Sequence, residues 1–315
     1  MGGQIKVEPL NVVFGARVSG VKLSSISDTD FEELYQAWLE YGLLICEAQF
    51  LGHDEQIEFA RRFGELEFEL AALSNVLEDG TLRCDDGSDD VMKILKGNMD
   101  WHHDSTYMPI QAKGAVFSAE VVPSSGGETQ WADMRAAYEA LPEGLKDEIR
   151  DLSAFHSLAY SQAKLGYVEP ERRADDTQRD PEAYNGYGFG VEDTPLRRLV
   201  KIHPETGRPS LLIGRHAYGI PGLGEQESET LLEQLLDFAC QAPRIYTHRW
   251  APGDLVVWDN RCLLHRGNPW DMNEPRVMYH SRIKGDAESE SASSVGSGSS
   301  IPGVDPGFRK GVRSS

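Results

Sequence analysis

Three stretches near the end of the chain decide the expected fold: RIYTHRW at 244–250, DLVVWD at 254–259 and RVMYHSRI at 276–283. Each is short, rich in β-branched and aromatic residues, and bounded by turn-forming residues, which is typical of β-strands. The chain also opens with strand-like alternation, and amphipathic helical patterns such as 225–242 lie between the two ends. Because regular βαβ units are not evident, we predict a mainly β sandwich or barrel flanked by helices.

The composition changes near the C-terminus. Residues 287–300 read AESESASSVGSGSS, and such a segment cannot bury enough apolar surface to offset the entropy lost on ordering. A chain of 315 residues with 40% hydrophobic residues otherwise fits one large domain. We therefore predict a single domain over residues 1–286 and a disordered tail over residues 287–315.

The chain is strongly acidic, with 51 Asp and Glu against 31 Lys and Arg and a formal net charge of −20. Nucleic-acid binding and docking on anionic membranes both need a basic surface, so the charge argues against both. No apolar run approaches the roughly 20 residues that span a bilayer. The N-terminus lacks the basic start and apolar middle of a signal peptide. We expect a cytoplasmic protein that acts on a small molecule.

The segment WHHDSTY at residues 101–107 carries a candidate metal site. On an extended chain, side chains two residues apart share a face, so His102 and Asp104 point the same way and His103 points away. His265 follows a later apolar strand and supplies a third candidate ligand. Two histidines and one carboxylate form the facial triad of non-haem Fe(II) oxygenases. The same three ligands could instead hold Zn²⁺ and activate a water in a hydrolase.

Four segments carry a resemblance to a known family: FARRFGELE at 59–67, WHHDSTY at 101–107, PSSGGETQWADMRAAYEALP at 123–142 and HRWAPGDLVVWDNRCLLHRG at 248–267. Together they resemble the Fe(II)/2-oxoglutarate-dependent dioxygenases of the TauD/TfdA type, in matching order over about residues 12–286. The last two segments look most like the branch that contains 2,4-dichlorophenoxyacetate dioxygenase.

The resemblance implies a double-stranded β-helix, a jelly-roll or cupin-like core with helices outside. It also implies that His102, Asp104 and His265 hold Fe(II), and that Thr129 and Arg276 bind the cosubstrate 2-oxoglutarate. The implied reaction uses O₂ to hydroxylate an unactivated C–H bond while 2-oxoglutarate becomes succinate and CO₂. Members of the family often form dimers or tetramers, so the resemblance allows this chain to form a homo-oligomer.

The resemblance implies less about the substrate. Asn98 matches a substrate-side asparagine of the taurine branch, whereas Glu69 and His280 stand where other members have different residues. Arg282 shares a strand face with His280 and could supply the missing positive charge. The substrate is therefore expected to be small and polar or anionic, such as an aryloxyalkanoate.

Further residues complete the predicted site. The aromatic loop at 158–195, and Tyr187 in particular, is predicted to cover the substrate. Asp259 and Arg261 are predicted to pair, either to orient His265 or as a structural ion pair. A zinc hydrolase and a non-catalytic jelly-roll binding protein remain the alternatives. The predicted 2-oxoglutarate clamp argues against the hydrolase, and the intact set of ligands argues against the binding protein.

Overall fold

A computed structural model describes residues 5–166 and 194–293. The strands are β1 (Lys6–Pro9), β2 (Ala16–Ser19), β3 (Leu43–Cys46), β4 (Leu66–Ser74), β5 (Gly114–Val121), β6 (Thr129–Asp133), β7 (Ser153–His156), β8 (Leu196–Arg198), β9 (Val200–Ile202), β10 (Pro209–Leu211), β11 (Ala217–Tyr218), β12 (Ile245–His248), β13 (Leu255–Asp259), β14 (Leu263–Gly267) and β15 (Val277–Ile283). The helices are α1 (Asp28–Tyr41), α2 (His53–Arg61), α3 (Asp90–Gly97), α4 (Met134–Ala140), α5 (Glu143–Ile149), α6 (Leu158–Lys164), α7 (Glu225–Ala239) and α8 (Ala287–Glu290). No helix within these residues is long and apolar enough to cross a membrane.

Two sheets form the centre of the fold. The larger has seven strands in the order β1-β2-β3-β13-β5-β15-β4, and the smaller has three strands in the order β12-β6-β14. All neighbouring strands in these two sheets are antiparallel except β2 and β3. Outside the β1-β2-β3 edge, strands that are neighbours in these two sheets lie far apart in sequence, as in a jelly roll. The predicted jelly-roll core with flanking helices is confirmed.

The sequence of β13 reflects burial on both faces of the large sheet at this strand. Successive side chains of a strand point to opposite faces. Val256 and Trp258 face the small sheet, where Trp258 lies 5.9 Å from Trp131 between ring centroids. Leu255 points the other way and packs with Trp38 of α1. Because both faces are buried, β13 is a continuous apolar run rather than an alternating one.

Helices cover the outer face of the small sheet as well. Ala132 of β6 and Leu264 of β14 belong to one buried cluster with Leu231 and Leu235 of α7. The strong helical periodicity of 225–242 therefore reflects a face that packs on this sheet. The candidate ligand His265 lies on β14 of the small sheet, and its ring centroid is 4.8 Å from that of Trp258 of the large sheet.

The predicted start of the tail is wrong. Residues 287–290 form α8, and Glu290 is only 1% exposed. Residues 291 and 293 form bridges with Ile110 and Leu196. The segment orders because polar groups of the domain bind it, which a composition rich in Ser and Gly does not reveal. Residues 294–315 lie outside the described part of the chain.

The long segment predicted as an aromatic loop is only partly described. Its beginning is the helix α6, capped by the Ser157 hydroxyl, which accepts a hydrogen bond of 3.1 Å from the Tyr160 amide. Tyr187 and the other aromatic residues proposed to cover the substrate lie outside the described residues.

Candidate metal and cosubstrate site

A pair of backbone hydrogen bonds brings the two predicted histidine ligands together. The His102 amide donates to the His265 carbonyl over 3.0 Å, and the His265 amide donates back to the His102 carbonyl over 2.9 Å. Residues paired in this way lie directly opposite each other on antiparallel strands, with their side chains on the same face. The ring centroids are 4.2 Å apart. Strand β14 thus positions His265, and the segment after α3 positions His102.

Asp104 completes the predicted triad. The candidate ligand atoms of His102, Asp104 and His265 all lie within 4.8 Å of one another, and all three side chains are buried. The Nδ1 atom of His102 contacts the Asp100 carbonyl at 2.7 Å, which leaves Nε2 to face the site. The Oδ2 atom of Asp104 is buried without a hydrogen-bond partner among the described residues. This donor set fits a divalent metal ion that prefers nitrogen and oxygen ligands.

The charge states also suit metal binding. Burial lowers the pKa of His102 and of His265 well below the ordinary range, so both imidazoles are neutral and able to bind a cation. Burial alone raises the pKa of Asp104, but Arg282 and the surrounding imidazoles outweigh it, and the carboxyl keeps a lowered pKa. A negative carboxylate therefore stands between two neutral rings.

His103 points away from this site, as predicted. Its Nδ1 atom donates to the Asn260 carbonyl over 2.8 Å on the opposite side of the chain. The backbone alternation at 102–104 thus selects His102 and Asp104 for the pocket.

Arg282 fixes the second oxygen of Asp104. Its Nη2 atom donates to Oδ1 over 2.9 Å, and its Nη1 atom donates to the Ser105 hydroxyl over 3.2 Å. The guanidinium thus holds one carboxylate oxygen and leaves the other facing the histidines. Arg282 lines the pocket as expected, and Asp104 supplies a counter-charge to it.

His280 is the polar group that faces the pocket beside Arg282. Its ring stacks on Trp258 at 5.6 Å, and its Nε2 atom lies 3.7 Å from Oδ2 of Asp104. Both ring nitrogens are buried without a hydrogen-bond partner in residues 5–166 and 194–293. Burial, assisted by the charge of Arg282, lowers the pKa of His280 to about 3, so the imidazole is neutral.

Arg276 lies in the same pocket, and no carboxylate forms an ion pair with it within residues 5–166 and 194–293. Its side chain is buried, its Nη2 atom donates only to the Gly127 carbonyl over 3.2 Å, and its Nε atom has no partner in the described chain. Burial lowers its pKa to about 10. A Cβ atom at Gly127, where φ is +69°, would lie 3.2 Å from Nε, so glycine is needed for this approach. A buried guanidinium without a carboxylate partner is an anion-binding group.

Thr129 lines the same pocket as Arg276. Its Oγ1 atom accepts a hydrogen bond of 2.9 Å from the Trp250 indole, which leaves the hydroxyl proton available to an anion. Asn98 is also in the pocket wall, as predicted. The remaining wall is largely apolar and is formed by Leu73, Leu95, Met99, Phe117, Trp258 and Trp270.

Glu69 is not part of the pocket, contrary to the prediction. It is exposed and forms an ion pair with Arg61. His280 pairs with Ala71 whereas Arg282 pairs with Phe68, so β4 contains an irregularity between these positions. An extra residue in a strand changes which side chains face inward, and a register counted without gaps therefore fails here.

Asp259 and Arg261 form a structural ion pair, and of the two predicted roles the orientation of His265 is the wrong one. Arg261 donates to both oxygens of Asp259 over 2.8 and 2.6 Å, but the pair binds His203 and Glu205 rather than His265. The turn at residues 260–262 directs Arg261 away from the pocket. The pair therefore ties the end of β13 to the turn after β9.

Asn260 is the residue that the sequence interpretation missed. Its Oδ1 atom accepts from the Asp104 amide over 2.8 Å, and its Nδ2 atom donates to the carbonyls of Asp104 and Ala112, each over 2.9 Å. This buried amide thus fixes the backbone of the candidate ligand on both sides. The signal available in the sequence was the position of Asn260 in a turn directly after a buried strand. That signal does not identify its partner, Asp104, which lies 156 residues earlier.

Comparisons with known proteins agree with this geometry. The family described as "Taurine catabolism dioxygenase TauD, TfdA family" matches residues 6–282. The chain is 61% identical to the (S)-phenoxypropionate/alpha-ketoglutarate-dioxygenase of Sphingobium herbicidovorans, over 93% of this chain and 99% of that protein. It is 54% identical to the protein of that name from Delftia acidovorans, over 92% and 99% of the two chains. Alpha-ketoglutarate is another name for 2-oxoglutarate.

A solved structure and a further relative extend the comparison. The crystal structure of AAD-2 in complex with Mn(II) and N-oxalylglycine has a TM-score of 0.81 and 34% identity, and covers 92% of this chain and 99% of its own. The alpha-ketoglutarate-dependent 2,4-dichlorophenoxyacetate dioxygenase of Cupriavidus pinatubonensis is 36% identical over 90% of this chain and 99% of its own. The chain therefore belongs to the TauD/TfdA family and is a 2-oxoglutarate-dependent dioxygenase.

Proposed function

We propose that the chain oxidises the C–H bond beside the ether oxygen of a 2-aryloxypropionate, with Fe(II) held by His102, Asp104 and His265. The observation that carries the proposal is the buried triad facing an apolar pocket, in a chain 61% identical to an (S)-phenoxypropionate dioxygenase. Fe(II) bound there would supply the activation of O₂ that is coupled to decarboxylation of 2-oxoglutarate.

Arg276 and Thr129 bind the distal carboxylate of 2-oxoglutarate in this proposal. A guanidinium matches a carboxylate with two parallel hydrogen bonds, and the cosubstrate supplies the counter-charge that buried Arg276 lacks in the described chain. A zinc hydrolase would need no such anion clamp, and a binding protein would not need a triad with an orphaned carboxylate oxygen. Both alternatives are therefore disfavoured.

The aromatic ring of the substrate packs on the apolar wall that includes Leu95 and Phe117. Asn98 and neutral His280 offer polar contacts to its ether and carboxylate oxygens. Hydroxylation of the carbon that bears the ether oxygen gives a hemiketal. The bond from that carbon to the aryloxy oxygen then breaks, the hydroxyl proton passes to the leaving aryloxide, and the products are a phenol and a 2-oxo acid. Location in the cytoplasm and assembly into a homo-oligomer stay predictions from the sequence.

Substrate choice tests the proposal. With Fe(II), ascorbate and 2-oxoglutarate in air, we expect (S)-2-phenoxypropionate to give equal amounts of succinate and phenol. The (R) enantiomer should react at least about tenfold more slowly, because a pocket of fixed shape discriminates by about 1–3 kcal/mol. Taurine serves as the control for the taurine branch and should give no succinate above background. Succinate with taurine, or succinate without phenol from either enantiomer, would contradict the assignment.

A further inference from the structure

The C-terminal segment after the last strand lies against the loop that follows Asp104. The Gln111 amide donates to the Glu290 carbonyl over 3.1 Å, and the Ala292 amide donates to the Pro109 carbonyl over 2.8 Å. The Ser293 amide donates to the Leu196 carbonyl over 3.0 Å. Residues 287–293, which we call the C-terminal strap, thus join the 106–112 segment to β8.

Arg197 links the strap to the metal-site loop directly. Its buried guanidinium donates to the carbonyls of Thr106 and Met108, each over 2.7 Å, and to the Glu290 carbonyl over 2.9 Å. The loop needs such support, because it begins at Ser105 with a φ of +56°, which is costly for a residue with a side chain. The Arg197 side chain therefore holds the backbone at Thr106 and Met108, shortly after Asp104.

The carboxylate of Glu290 balances the charge of this arrangement. Glu290 is 1% exposed, forms an ion pair with Lys201, and lies close enough to attract Arg197. Without it, buried Arg197 and partly buried Lys201 would lie near each other with no counter-charge in the described part of the chain. Removing one partner of a buried ion pair is strongly destabilising, because a charge is left in a medium of low dielectric constant.

We propose that the C-terminal strap positions the loop that carries Asp104, with Arg197 and Glu290 as the positioning residues. The strap thereby belongs to the catalytic unit, although its composition resembles that of a linker. This inference rests on the proposed function, since it treats Asp104 as a metal ligand. Glu290 itself touches neither the pocket nor the triad, so its effect on the metal is exerted through Arg197 and the loop.

A pair of substitutions in the full-length chain tests the strap. Glu290→Gln keeps the size of the side chain and removes the counter-charge, whereas Glu288→Gln makes the same change at an exposed position of α8. Mn(II) is titrated anaerobically and unbound Mn(II) is counted by electron paramagnetic resonance. We expect Glu290→Gln to raise the Kd for Mn(II) by about tenfold or more, the range seen when groups that support metal ligands are lost. Glu288→Gln should stay within about twofold of the wild type.

The results for these variants distinguish a failure of the strap's positioning role from a failure of the proposed function. High Fe(II) should restore turnover in Glu290→Gln, which a general loss of folded protein would not allow. A lower melting temperature with an unchanged Kd for Mn(II) would overturn the positioning role and leave the metal assignment intact. A wild-type protein that binds no Mn(II) would overturn both. If Glu290→Gln does not fold, the Lys201→Met/Glu290→Gln variant removes one of the two cations as well and is measured in the same way.

Discussion

Replacing His102 by alanine is expected to lower 2-oxoglutarate turnover by more than about 100-fold, since even the loss of outer groups around a metal costs about 10–100-fold. The variant loses the ligand that the backbone pairing with His265 brings to Asp104. Anaerobic Fe(II) binding and succinate formation measure the effect. Both signals should fall together while the folded state persists.

His103→Ala is the matched control for this prediction. His103 is equally buried but donates to the Asn260 carbonyl on the other side of the chain. Its loss should reduce stability by about 1–3 kcal/mol, the cost of an unmade buried hydrogen bond, and leave turnover measurable. The opposite pattern, with turnover kept in His102→Ala and lost in His103→Ala, would show that the wrong histidine has been assigned.

Replacing Arg276 by methionine should raise the KM for 2-oxoglutarate by about 100-fold or more. The substitution removes two charge-assisted hydrogen bonds to 2-oxoglutarate, of about 1.5–3 kcal/mol each. Part of this loss of binding free energy is offset, because the variant no longer buries an unpaired charge when 2-oxoglutarate is absent. For the same reason, the melting temperature of the protein without cosubstrate should stay unchanged or rise. The effect on kcat at saturating 2-oxoglutarate should be much smaller than the effect on KM.

Arg244→Met provides the comparison for Arg276. Arg244 donates to carbonyls at the end of α7 and stacks on Phe238, away from the pocket. Its loss should lower the melting temperature without changing the KM for 2-oxoglutarate. If Arg276→Met behaves in this way instead, Arg276 is a structural residue and the cosubstrate is held elsewhere.

The parts of the site that depend on short spacings were predictable from the sequence. His102 and Asp104 share a face because the backbone between them is extended, His265 follows a later apolar strand, and the family resemblance supplied Thr129 and Arg276. The jelly-roll fold followed from short strand-like runs together with the same resemblance. All five of these residues line one pocket in the structure.

The remaining errors have physical causes. Glu69 was misplaced because an irregularity in β4 shifts the inward-facing register. Asp259 and Arg261 turn away from His265 because the chain bends at residues 260–262. Asn260 forms hydrogen bonds with backbone atoms of Asp104. Such bonds do not require a particular residue type at the partner position, so the sequence does not reveal them.

The strap was missed for a different reason. A Ser- and Gly-rich composition predicts disorder when it is averaged over the whole segment. The order of residues 287–293 depends on one buried carboxylate, Glu290, and on cations supplied by β8 and β9. Long-range charge pairing of this kind appears only when the fold brings the segments together.

Visible absorption of the anaerobic protein with Fe(II) and 2-oxoglutarate tests whether the triad holds iron that the cosubstrate chelates. A 2-oxo acid that chelates Fe(II) through its carboxylate and keto oxygens gives a weak charge-transfer band, which neither Zn²⁺ nor an empty site can produce. We expect this band in the wild type, its absence in His102→Ala, and its appearance in Arg276→Met only at much higher 2-oxoglutarate. A wild-type protein that shows no band at saturating Fe(II) and 2-oxoglutarate would contradict the assignment of the triad.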